Sequence, residues 1–380
     1  MKLGLGLYYH MLTPDNFRFA RQASATHIVA HLVDYFSSGP RFEAASAGGW
    51  GRSSGDNERW TADALKRLRA AVHAEGLELA AIENFDPVHW YDILLDGPRK
   101  HAQMEHLKQI IRAMGQAGIP LMGYNFSIAG VWGWATGPFA RGGAESVGFT
   151  GLAEETPIPN GMVWNMTYAP DAPAGTIGTV TPEQLWQRLT WFLEQLVPVA
   201  EEAGVRLAAH PDDPPMPTLR GTARLVYQPS YYRRLLDVVP SRSNALELCV
   251  GSIAEMTEGD VYEVVEEFSR EQAIGYLHFR NVRGKVPNYR EVFVDEGDID
   301  MLRVIEILHN TGYDGVLIPD HTPQMACPGR GMPAWHMCLA ICGQLFRWWR
   351  EANDTRCRTG CTSPRRTSRR RSGCRTRLAY

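Results

Sequence analysis

Four side chains with metal-binding chemistry follow one another along the second half of the chain. They are His210, Cys249, His278 and Asp320, and successive members are separated by 39, 29 and 42 residues. Imidazole and thiolate are typical ligands of transition metals, and a carboxylate adds a further negative charge. One thiolate and one carboxylate would nearly neutralise Mn²⁺, Fe²⁺, Co²⁺ or Zn²⁺ and leave positions for water or substrate. The spacing therefore predicts one divalent metal site, provided that the fold brings the four residues together.

Each of these residues has a simpler interpretation when it is taken alone. A histidine at a strand end is often only a hydrogen-bonding residue, Cys249 could be a small buried hydrophobic side chain, and Asp320 could cap a helix. Their joint placement after four consecutive strands is what favours the metal site.

Polar residues beside these four are candidates for substrate binding and proton transfer. The prolines of the HPDDPP block (210–215) stiffen the chain, which would hold Asp212 and Asp213 in place; a rigid surface turn is the alternative. Arg280 and Asn281 follow His278 directly. The forked guanidinium of Arg280 matches a carboxylate and makes it a candidate anchor for an acidic substrate, with an ion pair across the site as the alternative.

His321, next to Asp320, carries an imidazole that could act as an acid or a base near neutral pH. Alternatively, it only supports its neighbours.

The elements that must position these residues form a repeated strand–helix unit. Helix starts are marked by Thr13 with Pro14 and by Thr181 with Pro182, and helix ends by Gly76 and Gly118. Helical patterns follow each β-rich run, which implies a parallel sheet. The eight runs are 3–7, 27–33, 77–82, 120–126, 205–209, 245–250, 274–279 and 315–318.

Eight such units predict an α/β fold, a (β/α)8 TIM barrel, whose strands converge at one C-terminal mouth. An open doubly wound sheet is the alternative, but no G-x-G-x-x-G follows the first strand, so dinucleotide binding has no support. We predict a single catalytic domain over 1–354. It carries a Gly- and Pro-rich irregular insertion at 127–180, after strand 4, which is either a lid or a loosely packed insertion or oligomer contact.

The composition excludes several classes of protein. The chain has 380 residues and contains no run of about 18 apolar residues, so no membrane span is expected. The tail, 355–380, contains nine arginines and no acidic residue, and we interpret it as a disordered or aberrant appendage rather than a basic interaction arm. The remaining 354 residues carry 30 basic and 42 acidic side chains, which argues against a nucleic-acid partner. Seven scattered cysteines suggest no disulfide framework and favour the cytoplasm.

Several of these motifs together resemble the mannonate dehydratase family. The similar stretches are HPDDPP, CVGS, HFRN and PDH, preceded by IENFDPVHWYDILLDGPRK and IIRAMGQAGIPLMGYNF. The resemblance implies a TIM barrel with a Mn²⁺ or Fe²⁺ site on His210, Cys249, His278 and Asp320. It also implies loss of water from D-mannonate to give 2-keto-3-deoxygluconate in hexuronate catabolism. His321 would then transfer a proton, and Arg280 and Asn125 would position the sugar acid.

The chain also departs from that family. Its members usually carry a tyrosine in a Pro-Gly-Tyr stretch after the eighth strand, where this chain has CPGRGMPAWHM with Arg330, Trp335 and His336 as candidate replacements. The missing tyrosine keeps a non-catalytic relative open as an alternative. A metal-dependent sugar isomerase or epimerase is another alternative, but such enzymes usually have carboxylate-rich metal sites, so Cys249 and the HPDDPP block favour the dehydratase. Assembly into a homo-oligomer, for example through a helix at 334–351, also stays open.

Overall fold

Eight parallel strands form a closed barrel at the centre of the molecule. The structure is a computed structural model, and it describes residues 1–35, 50–152 and 156–326. Neighbouring strands of the barrel follow the order of the chain, and the last strand pairs with the first, as in Lys2 opposite Val316. The strands are β1 (Lys2–Leu7), β2 (His27–His31), β3 (Glu78–Glu83), β4 (Leu121–Tyr124), β5 (Arg206–Ala209), β6 (Asn244–Cys249), β7 (Ile274–His278) and β8 (Val316–Ile318).

Seven longer helices in the described residues cover the outside of the barrel. They are α1 (Pro14–Gln22), α2 (Ala62–Ala74), α3 (Lys100–Ala117), α4 (Pro182–Ala203), α5 (Ser230–Val238), α6 (Val261–Arg270) and α7 (Met301–Asn310). Short helices at Tyr91–Leu95 and Val250–Glu255 follow β3 and β6. The predicted start signals act as expected: the Thr181 hydroxyl accepts from the Gln184 amide and the Gln184 side chain accepts from the Thr181 amide.

The α/β barrel prediction is confirmed, and each predicted strand overlaps an observed one. Large apolar side chains of the helices pack against the outer face of the strands, while a smaller cluster that includes Val29, Ala208 and Tyr276 fills the interior. Gly123 on β4 lies against the Tyr276 hydroxyl and the Glu247 carboxylate, where a Cβ would overlap them. The interior is thus a packed core below the mouth rather than a channel.

The insertion after β4 contains strands that its sequence did not reveal. Ala135–Ala140 and Ala144–Phe149 form an antiparallel pair, which continues through Asn288–Val292 to Asn281–Lys285 in one four-stranded sheet. The sequence predicts no regular structure there because the segment is rich in Gly and Pro, and because the sheet is completed by a hairpin about 140 residues further along the chain. The sheet fixes the insertion against the loop that follows β7.

Some predictions concern residues outside the described ranges. These are the helix at 334–351, the Arg-rich tail, and the stretch with Arg330, Trp335 and His336.

Candidate active site

The four predicted metal ligands lie at the C-terminal end of the barrel. Cys249 and His278 are the last residues of β6 and β7 and are paired across them, His210 follows β5, and Asp320 follows β8. Ligand atoms of His210, Cys249 and His278 lie within 4.8 Å of one another. A carboxylate oxygen of Asp320 lies 3.2 Å from Nδ1 of His278. The structure therefore brings together all four residues that the sequence singles out.

The electrostatics of this group favour a negatively charged sulfur. Burial alone would raise the pKa of the Cys249 thiol, but the charge of Arg280 and the adjacent imidazoles of His210 and His278 hold it well below its usual range. Burial likewise opposes a charge on Asp320, yet the imidazoles of His321 and His278 hold its pKa well below the ordinary value. Both shifts favour the anionic forms in which these groups bind cations.

The two imidazoles are oriented by the chain itself. Nδ1 of His210 lies 2.6 Å from the carbonyl oxygen of Pro211, to which it donates, and this leaves Nε2 as the ligand atom. Burial would lower the pKa of His210, but Cys249 and Glu247 raise it to about 9. Both ring nitrogens of His278 are buried and neither meets hydrogen-bond geometry with the carboxylates nearby. A cation among these groups would satisfy them, so the donor set fits a divalent metal.

Two buried glutamates next to His278 were not predicted. Glu247 Oε1 and Glu83 Oε2 lie 3.0 and 3.4 Å from Nε2 of His278, and the three residues form a second group close enough to hold an ion. Burial alone would raise the pKa of Glu83, but His31 and His278 lower it to about 2. Side chains alternate along a strand, so Glu247 lies on the same face of β6 as Cys249, and Glu83 is the last residue of β3. These two strand positions could have identified both glutamates from the sequence.

Arg280 is an internal ion-pairing residue in this structure. Its side chain is 1% exposed, and it donates to the carboxylates of Asp213 and Glu291 and to the Ser252 hydroxyl. Glu255 lies 3.2 Å away as a third carboxylate. The structure does not bring the guanidinium to the cavity wall, so it supports the ion-pair alternative rather than a direct anchor for the substrate carboxylate.

His321 lines the cavity and is held by a carboxylate that the sequence analysis missed. Its Nδ1 lies 2.8 Å from Glu291 Oε1, and the edge of Trp134 from the insertion packs on the ring. Burial would lower the pKa of His321, but the charges of Asp320 and Glu291 raise it. This imidazole can therefore hold a proton beside the proposed ligands.

The predicted substrate-binding residues divide into two pairs. Asn125 and Asp213 line the cavity. Asp212 instead accepts from the amides of Leu225 and Val226 and pairs with Arg224. The Asn281 oxygen accepts from two amides, and its nitrogen donates to two carbonyls. Asp212 and Asn281 therefore hold loops in place and do not reach the cavity.

The wall opposite the proposed ligands is largely aromatic. Tyr35, Trp50 and Trp164 pack edge-on or tilted against one another, with ring centroids 5.0 to 5.8 Å apart. Trp164 comes from the insertion, which thereby forms part of the wall. The cavity is lined by Tyr8, His31, Tyr35, Trp50, Glu83, Asn84, Asn125, Val131, Trp164, His210, Asp213, Glu247, His278, Asp320 and His321.

Fold and site together define a TIM-barrel enzyme with an imidazole–thiolate–carboxylate cluster at its mouth. A xylose isomerase domain protein from Planctomyces limnophilus shares the fold at a TM-score of 0.56 and 11% identity, over 93% of this chain and 99% of that one. The mannonate dehydratase of Streptococcus suis serotype 2 superimposes with a TM-score of 0.73 at 26% identity, over 93% of this chain and 95% of that one.

Sequence comparison gives the family. The family model described as D-mannonate dehydratase (UxuA) matches residues 52–167 and 174–343. A mannonate dehydratase from Streptococcus equi subsp. zooepidemicus is 32% identical over 294 residues, which cover 72% of this chain and 79% of that protein. The chain belongs to the D-mannonate dehydratase family and is a hexonate dehydratase, a hydro-lyase. Among the described residues, no helix is long and apolar enough to span a membrane.

Proposed function

We propose that this chain removes water from D-mannonate to give 2-keto-3-deoxy-D-gluconate. The divalent cation is Mn²⁺ or Fe²⁺, and its ligands are His210, Cys249, His278 and Asp320. The observation that carries the proposal is the convergence of these four groups at the mouth of a barrel in this family. Glu83 and Glu247 also lie close to His278, so either carboxylate is an alternative ligand for the cation.

A bound divalent cation would act as a Lewis acid towards the substrate carboxylate and its 2-hydroxyl, which stabilises the charge that develops when C2 loses its proton. The residues of the chain move the protons. The C2–H bond breaks as its proton passes to a base, and the C3–O bond breaks as an acid protonates the departing hydroxyl. The resulting enol then becomes the keto acid.

His321 is proposed for one of these proton transfers. Its Nδ1 is held by Glu291 at 2.8 Å, which fixes the ring and leaves Nε2 for proton exchange. Asn125 is proposed to bind the sugar acid from the wall, where its amide nitrogen also donates to the Pro211 carbonyl at 3.2 Å. Arg280 acts indirectly, by holding Asp213 and Glu291 in position.

The aromatic wall would limit the access of water to this volume once substrate is bound. Trp50 and Trp164 are 6% and 7% exposed and still contribute to the cavity lining. A dry site strengthens each electrostatic contact with the substrate and protects the enol from side reactions.

The test is turnover of purified protein with D-mannonate and Mn²⁺ or Fe²⁺, followed by a keto-acid assay and repeated across several hexonates. We expect a 2-keto-3-deoxy acid to accumulate with D-mannonate. His321→Gln is expected to reduce kcat by about 100-fold or more, whereas His309→Gln, on an exposed face of α7, serves as the matched control. Interconversion of aldoses and ketoses without any keto acid would instead assign the chain to the isomerases.

The partners and the cellular compartment of the enzyme are proposed from its composition. The acidic body argues against nucleic acid as a partner. The Cys249 thiol is a free, buried cysteine that the proposal needs in its reduced form, and this agrees with the cytoplasm.

A further inference from the structure

Dehydration requires two proton transfers, and the proposed function assigns only one of them, to His321. The inference below rests on that function. Most other ionisable side chains of the described cavity wall are proposed metal ligands or form ion pairs with other residues. His210, His278 and Asp320 are proposed ligands, and Glu247 lies against His278.

Asp213 is not a good candidate for proton transfer, because it pairs with Arg280 and accepts hydrogen bonds from the hydroxyls of Ser252 and Tyr289. Among the described residues, the remaining candidates for a second proton carrier therefore lie on the wall formed by the first strands of the barrel.

His31 occupies that wall. It is the last residue of β2, at the same C-terminal end as the proposed ligands, and it lines the cavity. In the closed barrel, β1 lies between β2 and β8, so His31 and His321 enter the mouth from opposite sides of β1. Two imidazoles that line one cavity match in number the two proton transfers, at C2 and at the C3 hydroxyl.

The surroundings of His31 suit a proton carrier. Its Nε2 lies 3.7 Å from Glu83 Oε1, and the other oxygen of Glu83 lies 3.4 Å from His278, so a single carboxylate connects His31 to the ligand cluster. The rings of Tyr8 and Tyr35 pack on the imidazole at centroid distances of 5.0 and 5.9 Å. The carboxylate lies on the same side as Nε2, and the two tyrosine rings limit the orientation of the imidazole.

We infer that His31 is the second proton-transfer residue, so that His31 and His321 divide the two proton movements of the dehydration. One neutral imidazole accepts the C2 proton as the C2–C3 double bond forms. The other, protonated, gives its proton to the C3 oxygen as the C–O bond breaks, and water leaves. The enol then takes up a proton at C3 and loses the proton of its C2 hydroxyl, which gives the keto acid.

The test compares His31→Gln and His31→Ala with the wild-type enzyme on D-mannonate. We expect kcat to fall by about 100-fold or more, while KM and the amount of bound metal stay close to wild type. Added imidazole should restore part of the activity of His31→Ala, which a purely structural role would not allow. A substrate deuterated at C2 separates the two steps in His31→Gln. If the substrate loses its deuterium but is not dehydrated, His31 acts at the C3 hydroxyl. If neither deuterium loss nor dehydration occurs, His31 acts at C2.

The matched control is His27→Gln. His27 lies on the same strand at the opposite end of the barrel, where Nδ1 meets the Thr26 hydroxyl at 2.7 Å, so its activity should remain at the wild-type level. A His31→Gln enzyme that retains its kcat, or that loses metal together with activity, would overturn the inference and leave the proposed function standing. A wild-type enzyme inactive on every hexonate would overturn both.

Discussion

Cys249 is fully buried at the centre of the proposed ligand group, where Arg280 and two imidazoles favour its thiolate. Replacement by alanine removes the softest ligand and one negative charge, so we expect Cys249→Ala to lose most of its bound metal. Metal stoichiometry after gel filtration, measured by plasma mass spectrometry, gives the answer. Val250→Ala is the control, because it truncates the next buried side chain without touching a ligand. Full occupancy in Cys249→Ala would exclude Cys249 as a ligand.

At the residue scale, position along a strand was more informative than residue type. His210, Cys249, His278 and Asp320 were found because each ends or follows a strand of a predicted barrel. Arg280 was a candidate anchor for the substrate on its chemistry, with an ion pair across the site as the alternative, because whether a guanidinium faces a cavity or other side chains depends on packing that the sequence does not show.

Glu291, by contrast, was not identified from the sequence. It orients His321, yet it lies on a hairpin strand whose pairing the sequence analysis did not predict.

At the scale of elements, the guanidinium of Arg280 connects four parts of the chain through ion pairs and hydrogen bonds. It follows β7 and contacts Asp213 after β5, Ser252 and Glu255 in the short helix after β6, and Glu291 in the hairpin. All these carboxylates are buried, so loss of the guanidinium leaves negative charges unpaired and out of water.

We therefore expect Arg280→Met to lower the free energy of unfolding by about 3–5 kcal/mol. Arg283→Met, which removes a half-exposed arginine paired with Glu296, should cost at most about 1 kcal/mol. Urea unfolding of the metal-free proteins measures both. Equal losses in the two variants would contradict a special role for Arg280.

The elements themselves were largely predictable, for local reasons. Caps such as Thr13 and Thr181 and stops such as Gly118 act through contacts within a few residues, and they lie where the sequence places them. The strands of the insertion were not predictable, because Phe149 pairs with Tyr289, far along the chain.

At the scale of the whole molecule, the buried imidazole of His89 makes stability depend on pH. Burial, and then the neighbouring His106, lower the pKa of His89 to about 3, against 6.5 in an unfolded chain. Between these values the unfolded chain binds a proton that the folded chain does not. Unfolding therefore becomes easier as the pH falls from 6.5 towards 3, and stability is regained as the pH rises.

His89→Phe removes this proton uptake. We expect the wild type to lose on the order of 3 kcal/mol more than His89→Phe between pH 7 and pH 4. Urea unfolding of metal-free protein at several pH values measures the difference. The exposed His101 provides the control, since His101→Phe should keep the wild-type pH dependence. Parallel curves for wild type and His89→Phe would refute the prediction.

The mouth of the barrel consists of two halves that carry different kinds of residues. Strands β5 to β8 carry the proposed ligands, whereas β1 to β4 and the insertion carry the aromatic wall and His31. The family match begins at residue 52, downstream of both Tyr8 and His31. The cavity wall at Tyr8 and His31 therefore lies outside the stretch that matches the family, whereas all four proposed ligands lie within it.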